Sequence, residues 1–240
     1  RLTGKQIGSK YGFIANGLFQ SEEEIANSAT VKGYKALPGY IKYVDRNGDG
    51  IITAAQDQGY VGKSATPKHT GSLNLFGNWK GFDFDLLFSW GLGNVVALTG
   101  QYTASGSEGT QDNTSFTKPF YHGGNSPTFL VENSWTPDHT NAEFPRLEIT
   151  GPSNNNGYSS TFWYRNGNYM RLKTAQIGYN FPKKWLNPAG IEGLRLYVEG
   201  YNLLTFSGLT KYNIDPESPA VNNGYYPQQR TYTLGVKLTF

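Results

Sequence analysis

The sequence predicts an all-β fold of antiparallel strands joined by long loops. Three observations predict it. Glycine supplies 30 of 240 residues and aromatics 15%, against one methionine and no cysteine, a composition suited to strands and turns. Several segments alternate apolar and polar residues with the two-residue period of a strand. Between them run stretches such as "GSEGTQDN", "HGGNSP" and "GPSNNNG", which are loop material.

Taken in order, residues 1–67 are mixed. Tyr11–Gln20 reads as a strand-like piece with a turn in it. Ser21–Ala26, "SEEEIA", reads as a capping serine and a short helical turn with Glu24 at the capping-box position. From Thr70 the pattern becomes regular. Thr70–Trp79 places Leu73, Leu75 and Trp79 on one face with Gly71 and Gly77. Lys80–Gly81 is a two-residue hairpin turn. Phe82–Trp90 is the clearest strand, with Phe82, Phe84, Leu86, Phe88 and Trp90 opposite Asp83, Asp85, Leu87 and Ser89. Residues 91–168 are long and polar. Tyr169–Phe181 then sets Ala175, Ile177, Tyr179 and Phe181 on one face, and Leu194–Thr205 alternates Leu194, Leu196 and Val198 against Arg195, Tyr197 and Glu199. Arg230–Phe240 closes with Tyr232, Leu234, Val236, Leu238 and Phe240 on a single face.

This alternation fits two architectures. A soluble β-sandwich buries the apolar face; an outer-membrane barrel turns it to lipid and lines its lumen with the polar face. Three features favour the barrel. The connections alternate in length: 80–81 is short, 91–168 very long, 182–193 moderate and 206–228 long, as periplasmic turns and extracellular loops do. Phe82 to Trp90 covers about 26 Å of strand, and at a tilt near 40° this matches the apolar band with a ring at each end. Structureless connections this long are unusual in compact domains and are commonly functional. On this reading Phe240 ends on the periplasmic side and residues 1–67 form an extracellular loop region with a strand-like piece. Residues 68–240 form barrel strands and their extracellular loops. Two places fit less cleanly: Gly200 and Asn202, and Arg171 and Lys173, fall on lipid faces by simple alternation, the two cations near enough to the outer interface to snorkel. Five strands do not close a transmembrane barrel, which takes roughly eight or more, so the expectation is a part of a larger one.

Other classes recede. The +3 charge is scattered, with no polybasic strip for nucleic acid. Without cysteine there is no disulfide or thiolate site. No apolar run of helical membrane-spanning length occurs, which leaves spanning strands untouched. His69, His122 and His139 share no metal spacing, and no hydrolase elbow, zincin helix or phosphate loop is present, so no enzyme is expected. The start shows neither a methionine nor a signal-peptide pattern, as in a mature form or a fragment.

One motif stands out. Asp45–Asp57, "DRNGDGIITAAQD", sets oxygen donors Asp45, Asn47 and Asp49 at loop positions 1, 3 and 5, Gly50 at 6, the Ile51 carbonyl at 7 and Thr53 at 9. Alternate oxygens around a sharp glycine turn are how a loop wraps a hard cation, calcium first among them. Position 12 is Gln56 rather than an acid, and Asp57 stands one place later, so the site is irregular. A tight "NGDG" turn is the plain alternative. In the loops, Trp135, Trp163, Tyr164 and Tyr225 are the rings read as candidates to stack on the apolar face of a sugar; packing of the loops is the plain alternative for each.

The runs "DRNGDGIITAAQDQGYVGKSATPKHTGSLNLFGNWKGFDFDLLFSWGLGN", "NYMRLKTAQIGYNFPKKWL", "LRLYVEGYNLLTF" and "RTYTLGVKLTF" resemble, in order, the C-terminal barrel portion of SusC/RagA-type TonB-dependent outer-membrane transporters, and "YGFIANGLFQSEEEI" fits as well. The resemblance implies a 22-stranded barrel in the outer membrane of a Gram-negative bacterium. Its plug, which contacts the TonB system, would lie outside this chain. It implies a SusD-type surface lipoprotein as lid and import of oligosaccharides, or of peptides in some members. The run Tyr232, Leu234, Val236, Leu238 and Phe240 resembles the terminal strand signal read by the outer-membrane assembly machinery. The rival from another class is a soluble, calcium-stabilised, carbohydrate-binding β-sandwich.

Overall fold

A computed structural model describes residues 3–5, 7–98, 128–147, 155–218 and 228–240. The elements run β1 (Lys10–Gly12), β2 (Ala15–Leu18), α1 (Glu22–Ala26), β3 (Thr30–Val31), β4 (Ile41–Tyr43), β5 (Ile51–Ile52), α2 (Ala54–Asp57), β6 (Gly59–Gly62), β7 (His69–Trp79), β8 (Phe82–Leu92), β9 (Val95–Ala97), α3 (Thr128–Glu132), β10 (Tyr164–Asn166), β11 (Tyr169–Asn180), α4 (Lys183–Leu186), β12 (Gly193–Ser207) and β13 (Thr231–Thr239). They divide into two compact units. One combines residues 1–65 with 96–165; the other combines 66–95 with 166–240. The described residues 128–147 and 155–165 of the connection between β8 and β11 therefore belong with the N-terminal region.

The second unit is a five-stranded antiparallel sheet in the order β13-β12-β11-β8-β7. All five expected strands are present, within a few residues of the expected ends. The β7–β8 hairpin turns on Lys80 and Gly81, both with positive φ (49° and 93°), the geometry of a type I′ turn whose twist suits antiparallel strands. Register then fixes the faces. Leu73 pairs with Phe88, Leu75 with Leu86 and Trp79 with Phe82; Ile177 pairs with Phe84 and with Val198, and Val198 with Leu234. These side chains form one continuous apolar face, and it is exposed: Leu234 is 77% accessible, Tyr232 71% and Ile177 57%. A soluble domain rarely leaves an apolar patch of this extent open to water; a lipid-facing sheet requires it.

The opposite face is polar and cross-linked. Arg195 donates from Nε to Asp83 Oδ2 at 2.9 Å and from Nη2 to Gln176 Oε1 at 2.7 Å, and Asn180 donates to the same Asp83 oxygen at 2.7 Å. The Arg195 guanidinium lies 4.8 Å from the Tyr197 ring centre. Asp83 is thus an ion-pair partner in a polar lining.

The structure corrects the expectation for Arg171. In β11, Leu172 pairs with Phe88 but Thr174 pairs with Leu87, so Lys173 is an extra residue without a partner in β8. A bulge of this kind breaks the two-residue alternation. It carries Leu172 and Met170 to the apolar face, opposite Phe88 and Trp90, and turns Arg171 to the polar face, opposite Ser89 and Thr205. The pairing of β12 with β11 also skips, between Leu204 and Tyr201. Asn202 there has φ 54° and donates its side-chain amide to the Gln229 carbonyl at 3.1 Å. Its polar group is met by backbone, and Gly200 leaves room that Leu203 fills.

The first unit is built from short pairings. β1 pairs antiparallel with β6, β2 antiparallel with β4, and β3 parallel with β5. Its core is aromatic: Phe13 lies 5.0 Å from Tyr43 and 5.6 Å from Tyr158, centre to centre, and Phe144 stacks on Trp163 at 6.4 Å. Ser21 caps α1, accepting from the Glu24 N–H at 3.1 Å, while Glu24 reaches back to the Gln20 N–H at 2.7 Å and to Lys42 Nζ at 2.9 Å. The return bond goes one residue earlier than in the usual capping box. The Gln20 N–H first, and Lys42 with it, hold the Glu24 carboxyl below its ordinary value of 4.5. A lowered folded-state pKa stabilises above the unfolded value and stops doing so as pH falls through the folded one. The α1 start is expected to hold through the neutral range and to fray only in acid, read from hydrogen exchange at the Gln20 amide.

Among the described residues no helix is long and apolar enough to cross a membrane, a fact without bearing on the strands.

Candidate functional site

Three arrangements carry functional weight: the Asp45 loop, a cavity beside it, and an ionic cluster on the polar face of the sheet.

The Asp45 loop runs from β4 to β6 and is closed by its own side chains. Asp45 accepts from the Gly48 N–H on Oδ1 and the Gly50 N–H on Oδ2, both at 2.7 Å. Asp49 accepts from the Ile51 N–H at 2.9 Å and from the Asn47 amide at 2.8 Å. The Asn47 amide first, then the Ile51 N–H, hold the Asp49 carboxyl below its ordinary value. Gly48 and Gly50 carry φ of 76° and 82°, the left-handed turns that let amides converge on Asp45. Thr53 donates from its hydroxyl to Gln56 Oε1 at 3.1 Å, and Thr53 is the N-cap residue of α2.

Asp57 behaves differently from the rest. It is fully buried, accepting from the Arg46 N–H at 2.8 Å and the Thr53 N–H at 2.7 Å. Among the described residues no three acidic or histidine side chains gather where they would hold a metal ion. Position 12 offers only the neutral oxygen of Gln56. A calcium cage of this kind draws six to eight oxygens, usually with an acid at that position.

A cavity of about 400 Å³ lies next to this loop, lined by Phe13, Tyr34, Tyr158, Lys32, Thr53 and Gln58 among others. The Tyr34 and Tyr158 rings meet edge to face at 5.9 Å. Burial, and then the Tyr34 hydroxyl, push the Tyr158 phenol up to about 12, so it is a neutral donor at physiological pH. The pairing of these two rings is not legible in the sequence, because nothing in their spacing marks them as neighbours.

Of the four rings singled out from sequence, three lie among the described residues. Trp163 is buried, donating from Nε1 to the Asn156 carbonyl at 2.7 Å. Trp135 is 5% accessible and donates to Gln20 Oε1 at 3.2 Å, with Gly39 packed against its ring. Both are packing residues of the first unit, because a ring large enough to stack on a sugar is also the best filler of a loop core. Tyr164 is half-buried, its hydroxyl 2.8 Å from Ser159 Oγ. Tyr225 lies outside the described residues.

The ionic cluster joins β11 to the segment after β12. Arg171, 2% accessible, donates from Nη2 to Asp215 and from Nη1 to Glu217, both at 2.7 Å, and from Nε to Thr205 Oγ1 at 3.0 Å. Lys173 adds a second cation to Glu217 at 2.7 Å. Asp215 also accepts the Glu217 N–H at 2.9 Å. Leu209, Tyr212 and Ile214 are buried beside it. The segment is thereby fastened to the polar side of the sheet.

An exposed apolar face, a polar charged face and a segment fastened to the latter through Asp215 and Glu217 define the strands of a membrane barrel. Comparison with known proteins gives the same class. No family model matches. TonB-dependent receptor P3 of Formosa agariphila is 31% identical over 251 residues, covering 99% of this chain and 22% of the relative. TonB-dependent receptor P26 of the same organism is 29% identical over 255 residues, covering 100% of this chain and 23% of the relative. Among solved structures, the RagAB peptide importer in its open-open state superimposes with a TM-score of 0.62 at 24% identity, over 97% of this chain and 22% of that one. Over nearly its whole length the chain is similar to TonB-dependent receptors, and it spans a little over a fifth of the curated relatives it matches. These relatives are receptors, not enzymes.

Proposed function

We propose that the chain contributes to an outer-membrane nutrient importer of a Gram-negative bacterium. The importer is energised through the TonB system and works with a SusD-type surface lipoprotein. The observation that carries this reading is the two-faced sheet, apolar where lipid would lie and cross-linked by Arg195, Asp83 and Gln176 where a lumen would lie. The cargo read here is an oligosaccharide. The Tyr34–Tyr158 pair offers ring faces, and Thr53 and Gln58 offer neutral groups suited to hydroxyls. A peptide cargo is the second reading, favoured by the fold shared with the RagAB peptide importer. We read Tyr232, Leu234, Val236, Leu238 and Phe240 as the assembly signal, supported by the common face of the first four on β13 and by the exposed Phe240 ring just past its end.

The test deletes the gene for the full-length receptor and follows growth on single nutrient sources. Loss of growth on one polysaccharide, with growth on monosaccharides and on peptide digests kept, is the expected result. Loss on peptides alone supports the second reading. Unchanged growth on every polymeric source overturns import.

A further inference from the structure

We infer that the Asp45–Asp57 loop is locked by Asp57 instead of by a cation. A bound cation holds such a loop by drawing its first and last residues onto one centre. Here Asp57 makes that connection itself. One carboxylate oxygen takes the N–H of Arg46, the second residue of the loop; the other takes the N–H of Thr53, the ninth. The two ends are thus joined through a single fully buried side chain.

The displacement of the acid by one residue explains why it can do so. At position 12 the side chain of Gln56 meets the Thr53 hydroxyl, accepting at 3.1 Å. One residue later, on the short α2 helix, the side chain turns by about 100° and meets backbone N–H groups from behind. The rest of the loop is held by its own hydrogen bonds. Asp45 neutralises the convergent Gly48 and Gly50 amides, and Asn47 turns its amide donor onto Asp49. Arg46 completes the lock from outside, donating to the Gln58 carbonyl at 2.8 Å over Gly59, where a Cβ would collide with the guanidinium. Positions 2, 9, 13 and 14 of the segment are thereby tied without a metal ligand.

The test is hydrogen exchange on the full-length receptor in detergent, read on the peptide covering residues 43–58. The protein is compared in a calcium chelator and in millimolar calcium, as wild type and as Asp57→Asn. The asparagine keeps size but turns one acceptor into a donor that faces an N–H. The expected result is equal protection of the Arg46, Gly48, Gly50 and Thr53 amides with and without calcium, and exchange at Arg46 and Thr53 about tenfold or more faster in Asp57→Asn under both conditions. Protection in the wild type that rises about tenfold on adding calcium overturns the inference. So does an Asp57→Asn protein whose loop exchanges like wild type. If Asp57→Asn does not assemble, the wild-type comparison alone decides. Neither outcome touches the transport reading, which the growth test addresses.

Discussion

Leu234→Arg is expected to destabilise the assembled barrel by about 2–4 kcal/mol, the cost of a cation on the lipid face near the bilayer midplane. Thr233→Arg, one residue away, is expected to be nearly neutral. The contrast follows from register. Leu234 pairs with Val198, inside the exposed apolar face; Thr233 pairs with Glu199, on the polar face. An arginine at 233 would find a carboxylate opposite, and one at 234 only hydrocarbon. The measurement is equilibrium unfolding of the full-length receptor in lipid, supported by the amount of heat-modifiable, folded protein in outer membranes. A soluble sandwich would give another pattern, with both positions tolerant in detergent-free buffer if the apolar face were merely uncovered. Equal effects at 233 and 234 would reject the assignment of faces.

This pair also shows what the sequence makes legible. Strand alternation is local: each residue states its face by its own polarity, so Phe82–Trp90 and Arg230–Phe240 were readable without knowing their partners. The faces of β8 and β13 in the structure are those expected. What alternation hides is an inserted residue. Lys173 is long, polar and ordinary in a strand, and nothing about it signals a bulge. Only the pairing of Leu172 with Phe88 and of Thr174 with Leu87 reveals that Arg171 has changed sides. Loop rings were illegible for another reason. Trp163 and Tyr34 look alike in sequence, yet one is buried under Phe144 and the other lines a cavity with Tyr158, because the neighbours of each come from other segments of the chain. The Asp45 loop lies between these cases. Its turn was readable from "NGDG", whereas the work of Asp57 depends on a backbone path that places Arg46 and Thr53 on either side of it.

Arg171→Met is the second large effect, and it follows from the side of the sheet on which the bulge puts Arg171. The substitution keeps most of the apolar stem and removes the fork that holds Asp215, Glu217 and Thr205 together. Removing one partner of a buried ion pair leaves uncompensated charge, with a typical cost of about 3–5 kcal/mol. Asp215 and Glu217 retain some solvent access, at 18% and 15% of their side chains, and Glu217 keeps Lys173. The lower end, about 3 kcal/mol, is therefore expected. The loss should be local. Hydrogen exchange is expected to accelerate by about a hundredfold over residues 209–218, while β11 and β12, held by their own ladders, exchange as before. Lys173→Met, which removes only the more exposed cation, is expected to cost about 1 kcal/mol or less. If Arg171 instead reached lipid by snorkelling, as plain alternation would have it, Met at 171 would be neutral or stabilising and residues 209–218 would not respond. The two substitutions measured side by side thus read out the bulge as well as the cluster it creates.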